Sequence, residues 1–193
     1  SEFDTLSPFQ WPRAKTEAAG ETRFFAKGGF FTPDRKARFI APERPVLQHA
    51  NGEDFPFTLN TGRIRDQWHT MTRTGLSPRL ASHLAEPFVE IHPDDAFPLG
   101  LRDGDFARVA TRHGSAILKA SVTPTQRKGS MFVPIHWSDA NASAARIGEM
   151  VNPATDPDSG QPEAKATPAC IARVDFRFAG FMLSRKTVAL PAS

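Results

Sequence analysis

Proline and glycine set the grain of this sequence. Seventeen prolines and thirteen glycines are spread along its 193 residues. Proline removes a backbone donor and clashes with the preceding helical turn, and glycine inside a regular element loses conformational entropy on ordering. The chain is thereby cut into short segments separated by turns, which argues for strands and loops over long helices.

The segments can be read in order. Phe24-Phe25 and Ala37–Ile40 flank the turn-rich Gly28-Gly29 and Pro33-Asp34, and are expected to form two short strands. Phe55–Asn60 alternates apolar and polar residues and stops at Thr61-Gly62, the pattern of a strand ending in a glycine turn. Helical turns are expected near Pro78–Leu84, and a strand at Phe88–Ile91. Pro93–Ala96 opens a short helix with acids in its first turn, and Leu101–Asp105 makes a tight turn. Phe106–Thr111 and Ala116–Thr123 read as strands joined at His113-Gly114. Met131–Ile135 is a further strand, Ala142–Met150 has helical spacing, and Ala169–Val174 is a last strand. The expected fold is mainly β with short helices, closed into a compact barrel. Residues 1–21 are expected to be a linker or flexible start, residues 22–175 the barrel domain, and residues 176–193 a flexible tail.

Composition narrows the function classes. A hydrophobic fraction of 39% and a charged fraction of 23% suit a soluble globular domain. No apolar run approaches the roughly 18–20 residues of a membrane-spanning helix, and the polar, Pro-containing stretch from Ser1 to Glu21 has no signal-peptide pattern. The single cysteine, Cys170, can form no internal disulfide and no CxxC pair. A net charge of +3 is too weak to argue for nucleic acid, yet it is compatible with a small polyanion. No membrane or nucleic-acid partner is expected.

Four stretches carry chemistry. In Leu59–Arg63, a strand end at Thr61-Gly62 exposes backbone N–H groups and a hydroxyl, and Arg63 adds a planar fork suited to a diphosphate. The loop that follows holds Gln67, Trp68, His69, Thr70, Thr72 and Arg73. Trp68 is either a stacking face for a heterocycle or an anchor in the core. His136-Trp137-Ser138-Asp139 follows a strand end, where sheet proteins place ligands, although a structural Trp with a neighbouring His fits equally. Asp156–Lys165 is turn-rich, with Asp156 placed to meet the donors of a base, Gln161 in the same loop and Lys165 as a point charge for phosphate. Nucleophile motifs, metal-spaced histidines and P-loop glycines are all missing, so no catalytic residue and no metal ligand is expected in this chain.

Taken in order, LNTGRIRDQWHTMTRTG (59–75), IHPDDAFPLGLRDGDFARVATRHG (91–114), PIHWSD (134–139) and DPDSGQPEAK (156–165) resemble the C-terminal domain of the dimethyl-sulfoxide-reductase superfamily of molybdenum enzymes. The QWHTMTRTG form and the HW pair are more similar to nitrate reductases than to formate dehydrogenases, and SGQPE is similar to the assimilatory, cytoplasmic branch. The resemblance implies a double-psi β-barrel that binds bis-molybdopterin guanine dinucleotide (Mo) together with the remaining domains of the same polypeptide. It implies that Thr61, Gly62 and Arg63 contact the pyrophosphate or pterin, that Gln67, Trp68, His69 and Thr70 continue the wall, and that Lys165 reaches in from the last loop. The molybdenum ligand and an iron–sulfur cluster would lie in the N-terminal part of such an enzyme, which would also meet an electron donor. Periplasmic relatives carry an Asn on the short helix before the DP loop, where Gly148 stands here. A formate dehydrogenase is the alternative within the family; a stand-alone nucleotide-binding module or a basic RNA-binding barrel is the alternative outside it.

Overall fold

The computed structural model describes residues 2–9, 11, 23–43 and 46–180. The chain divides into two compact units, Ser1–Pro45 and Val46–Ser193. Most of the expected N-terminal linker, and residues 181–193 of the expected tail, lie outside the described residues.

In the first unit a 3-10 turn spans Glu2–Thr5. The two strands expected around Phe24-Phe25 and Ala37–Ile40 are not formed, and residues 23–43 are turns and irregular backbone. Phe25 and Arg35 both sit at φ 59, next to Gly28 and Gly29 at φ 79 and 80. Left-handed positions so close together turn the chain back before an extended ladder can start. The aromatic rings satisfy one another locally instead: Phe25 stacks on Phe30 at 4.6 Å and meets Phe31 edge-on at 5.4 Å.

The second unit is a barrel of six strands: β1 (Phe57–Gly62), β2 (Phe88–Ile91), β3 (Phe106–Thr111), β4 (Ser115–Val122), β5 (Ser130–Pro134) and β6 (Thr167–Val174). They close in the order β1-β5-β2-β4-β3-β6. β1 and β5 are parallel, as are β2 and β4, and the other neighbours are antiparallel. Two parallel pairs interlocked across one closed sheet give the double-psi arrangement. Closure leaves no open sheet edge within the barrel.

The pleat sends alternate side chains inward, and the core follows that period of two. Leu59 and Thr61, Val89 and Ile91, Ala107 and Val109, Ala116 and Leu118, and Met131 and Val133 are all buried. Small residues on β3 and β4 leave room for Leu59, Ile91, Leu118 and Met131. α1 (Pro78–Ala81) and α2 (Pro93–Ala96) each begin with proline at a position where its missing N–H costs nothing. His92 Nδ1 accepts from the Asp94 N–H at 3.1 Å and caps α2. The Leu101–Asp105 turn is as expected: Asp105 accepts from the Arg102 N–H at 3.0 Å, and Gly104 takes φ 81.

Ala142–Met150 is not a helix, and only Ile147–Glu149 makes a 3-10 turn. Its apolar residues do face inward, with Ala145, Ile147 and Met150 buried. The Ala144 carbonyl, however, accepts from the Ile117 N–H of β4 at 2.7 Å. Docking onto the barrel thus takes an acceptor that a helix would have used. β6 begins two residues earlier than expected because Thr167 and Pro168 pair with Leu59 and Thr58 of β1. Beyond it, Phe176 lies edge-on to Phe106 at 5.4 Å.

Candidate functional site

The site begins where β1 and β5 end. These strands are parallel, with Thr61 opposite Val133 and Gly62 opposite Pro134, so the segments that follow them emerge at the same end of the barrel. The Ile135 N–H donates to the Gly62 carbonyl at 2.9 Å and extends the pairing. Gly62 is required by its neighbour: a Cβ there would lie 2.7 Å from Phe132 Cε2.

The loop launched by β1 is held from β5. The His136 ring is 0% exposed. Its Nε2 accepts from the Ile64 N–H at 2.9 Å, and its Nδ1 lies 2.6 Å from the His69 carbonyl. Burial pushes the His136 pKa down, against the upward pull of the His69 carbonyl, and the nearby Arg63 charge adds to the lowering. Within the loop, buried Gln67 accepts from Thr74 Oγ1 at 2.7 Å, and the Met71 carbonyl accepts from the Gly75 N–H at 2.8 Å. His69 and Met71 adopt left-handed backbone at φ 46 and 61. Such conformations cost on the order of 1–3 kcal/mol each and persist only where surrounding contacts impose them.

The second loop reaches the same place from β6. Thr61 Oγ1 donates to the Ala164 carbonyl at 2.8 Å, and Lys165 Nζ donates to the Thr61 carbonyl. Asn152 shapes this loop. It is buried, donates from Nδ2 to Glu163 at 2.7 Å and accepts at Oδ1 from the Ala154 N–H at 3.1 Å. Thr155 and Pro162 form an isolated bridge, and the Asp156 turn is the tip beyond it. The backbone N–H and hydroxyl of Ser159 hold the Asp156 carboxyl below its usual range.

Thr61, Gly62, Arg63, Gln67, Trp68, His69, His136 and Lys165 are therefore linked through one end of the barrel. The Arg63 guanidinium lies 4.7 Å over the Trp68 ring, and that ring is 59% exposed. Thr70 and Thr72 pair their hydroxyls at 3.1 Å on the exposed part of the loop, where Arg73 is also exposed. Asp66 is already committed to Arg65 and His83, so it does not neutralise Arg63 or Arg73. Trp137, by contrast, is 4% exposed and belongs to the core, as the structural alternative for the HW pair allowed. His136 is buried under the loop. Gln161 is exposed in the Asp156 turn, where its carbonyl accepts from the Asp156 N–H at 2.9 Å.

Asn152 was missed from sequence. Its signal was an asparagine immediately before a proline at the start of an acidic turn-rich loop. Gly148 is exposed in the 3-10 turn, four residues earlier. A cavity of about 1300 Å³ lies elsewhere, on the outer face of β3 and β4 beside Phe106, Ile117 and Lys119, and shares no residue with the 61–73 loop. We take the barrel end as the candidate site because Arg63, the Trp68 indole, the Thr61 hydroxyl and Lys165 meet at the end of β1. Among the described residues, no group of three His, Cys, Asp or Glu side chains is placed to hold a metal ion.

Fold and exposed side chains together define a closed β-barrel that carries guanidinium groups, hydroxyls and a solvent-facing indole at one end. The chain belongs to the molydopterin dinucleotide binding domain family, which matches residues 57–168. It is 43% identical over 192 residues to a nitrate reductase of Klebsiella oxytoca, covering 99% of this chain and 22% of that protein. It is 36% identical over 144 residues to the F420-dependent formate dehydrogenase 1 subunit alpha of Methanococcus maripaludis, covering 75% of this chain and 20% of that protein. The fold is similar to that of acetylene hydratase from Pelobacter acetylenicus, with a TM-score of 0.52 and 20% identity over 63% of this chain and 19% of that one. The chain thus spans about a fifth of the length of these curated relatives.

The donor set fits a molybdopterin dinucleotide. Arg63, Arg73 and Lys165 suit the charge of a diphosphate, Thr70 and Thr72 add hydroxyls, and the exposed Trp68 face suits a heterocycle.

Proposed function

We propose that this chain is the C-terminal cofactor domain of a molybdenum-dependent nitrate reductase of the assimilatory type, reducing nitrate to nitrite, and that its ligand is bis-molybdopterin guanine dinucleotide. The observation that carries the reading is the convergence of Arg63, Trp68 and Lys165 on the end of β1. Nitrate as substrate is favoured by the Klebsiella relative, which matches over nearly the whole chain. The bound cofactor would supply the oxygen-atom and electron transfer.

The chain's own residues would bind and orient. Arg63 and Arg73 would offset phosphate charge with their planar forks, and Lys165 would do so as a point charge. Thr61, Gly62 and Gln67 would fix the backbone that carries these groups, with Thr70 and Thr72 offering hydroxyls. Trp68 would cover one face of a ring, with His69 beside it. Asp156 would meet the donor edge of guanine, and loss of guanine preference in Asp156→Ala is the check on that assignment. No catalytic residue is assigned in this chain.

The remaining four fifths of the polypeptide would complete the cleft, carry an iron–sulfur cluster and face the electron donor. We place the whole protein in the cytoplasm, on its resemblance to assimilatory enzymes. No helix among the described residues is long and apolar enough to cross a membrane.

The test is Arg63→Ala in the full-length enzyme, followed by metal analysis and by measuring the guanosine nucleotide released on acid hydrolysis. Molybdenum and guanosine contents should fall together, and unchanged contents would overturn the assignment of Arg63. The formate dehydrogenase relative supports a second reading of the substrate, and formate oxidation by the purified enzyme would decide for it.

A further inference from the structure

We propose that His136 is a positioning residue: its neutral imidazole, protonated on Nδ1, clamps residues 64–69 into the curve that presents Arg63 and Trp68 to the ligand. What the loop presents rests on the function proposed above; how the loop is held rests on the geometry of this chain alone.

The hydrogen bonds fix the protonation state. The Ile64 N–H can only donate, so Nε2 must carry the lone pair. The His69 carbonyl can only accept, so Nδ1 must carry the proton. One of the three states of the ring satisfies both partners. The Nε2–H tautomer would set donor against donor at Ile64 and acceptor against acceptor at His69. The imidazolium would keep the His69 contact and lose the Ile64 contact. Because the ring is 0% exposed, water cannot substitute for a lost partner.

The clamp also has reach. Its two anchors bracket the departure of the loop from β1, and the far anchor is the carbonyl of His69, whose φ is 46. A left-handed residue held through its own carbonyl is a bend that the ring keeps in place. His136 itself follows β5, the parallel partner of β1, so one side chain locks the loop to the barrel.

The charged or titratable groups facing the ring are Arg63 and His69, both from the clamped loop; its own segment contributes the neutral Trp137. Burial and the Arg63 charge lower its pKa from the ordinary 6.5. A buried ring that binds its proton less readily than the unfolded chain keeps the clamp intact above its own lowered pKa, and loses it as pH falls through that pKa.

The experiment uses the 193-residue chain with ¹⁵N-labelled histidine. The expected spectrum at neutral pH shows His136 protonated on Nδ1 and bare on Nε2. On acidification the His136 ring, the Ile64 amide and the Trp68 indole should shift with one midpoint below 6.5, while amides of β3 and β4 stay still. His136→Gln keeps an uncharged hydrogen-bonding group, so the acid step of the Ile64 amide should be absent in this variant. His136→Ala should weaken GDP binding about tenfold. If the alanine variant unfolds in a thermal scan, the glutamine variant carries the comparison. An Nε2–H tautomer, or a His136 titration that leaves Ile64 unmoved, overturns the proposal. If GDP fails to bind the unaltered chain while the tautomer and the common midpoint are as stated, the clamp stands, and the Arg63→Ala measurement in the full-length enzyme decides the ligand assignment.

Discussion

The closest steric constraint at the site is at Gly62, and Gly62→Ala tests it. The added Cβ would lie 2.7 Å from Phe132 Cε2 and 3.3 Å from Cζ, against a normal carbon separation of about 3.5–4 Å. The backbone has little freedom to yield, because Gly62 is paired with Pro134 and its carbonyl is bonded to the Ile135 N–H. The ring must move instead. Turning it off its rotamer costs roughly 0.5–1.5 kcal/mol. Disturbing its contact with Phe88, whose centroid is 6.5 Å away, costs up to a similar amount. Alanine in a strand recovers roughly 0.5–1 kcal/mol of backbone entropy relative to glycine. The expected net is a destabilisation of up to about 2.5 kcal/mol, centred on about 1 kcal/mol, read as a lower urea midpoint at constant slope. In a Phe132→Ala background the clash is gone, and Gly62→Ala should be neutral or stabilising by up to about 1 kcal/mol. Equal destabilisation in both backgrounds would refute the argument, because the strain would then lie in the backbone.

Three further outcomes follow from the geometry. Trp137→Ala should cost about 3–5 kcal/mol of stability by chemical denaturation, whereas Trp68→Ala, at an exposed ring, should leave stability within about 0.5 kcal/mol and lower cofactor content instead. Asn152→Ala leaves the Ala154 N–H and the Glu163 carboxylate without their shared partner; a loss of about 1–3 kcal/mol is expected, with faster amide exchange at 163–165 as the local readout. Ser159→Ala removes one of the donors that depress Asp156, so the Asp156 carboxyl should titrate nearer its ordinary 3.8 in a ¹³C-detected titration. The depressed group favours the folded turn above that pH and loses this contribution as pH falls through the folded value, so the variant's turn should be less sensitive to acid.

The barrel was legible in the sequence because its signal is local. Alternation in Phe57–Gly62, Phe106–Thr111 and Ser115–Val122 reports which face is buried, and the Gly and Pro positions report where pairing stops. The errors arose where a local pattern met a distant partner or a run of left-handed backbone. Ala142–Met150 has buried residues at helical spacing, yet the Ile117 N–H takes the Ala144 carbonyl. Phe24-Phe25 and Ala37–Ile40 have strand composition, yet left-handed residues between them bend the chain.

Residue identity picked out side chains that the fold brings to the end of β1, but it did not separate the exposed ones from the buried ones, and the two tryptophans show why. Trp68 and Trp137 each adjoin a histidine in a polar segment, so sequence treats them alike. Their burial differs because Trp137 follows a core strand directly, while Trp68 stands on a loop that bends back at His69. The bend is held by a ring 67 residues away in sequence. A hydrogen bond from a side chain to a remote backbone carbonyl leaves no periodicity, spacing or composition to read. His136 and Trp137 therefore look like ligand contacts in the sequence and act as supports in the fold. The groups left facing solvent at the end of β1, Arg63 and Trp68 foremost, are the ones those supports position.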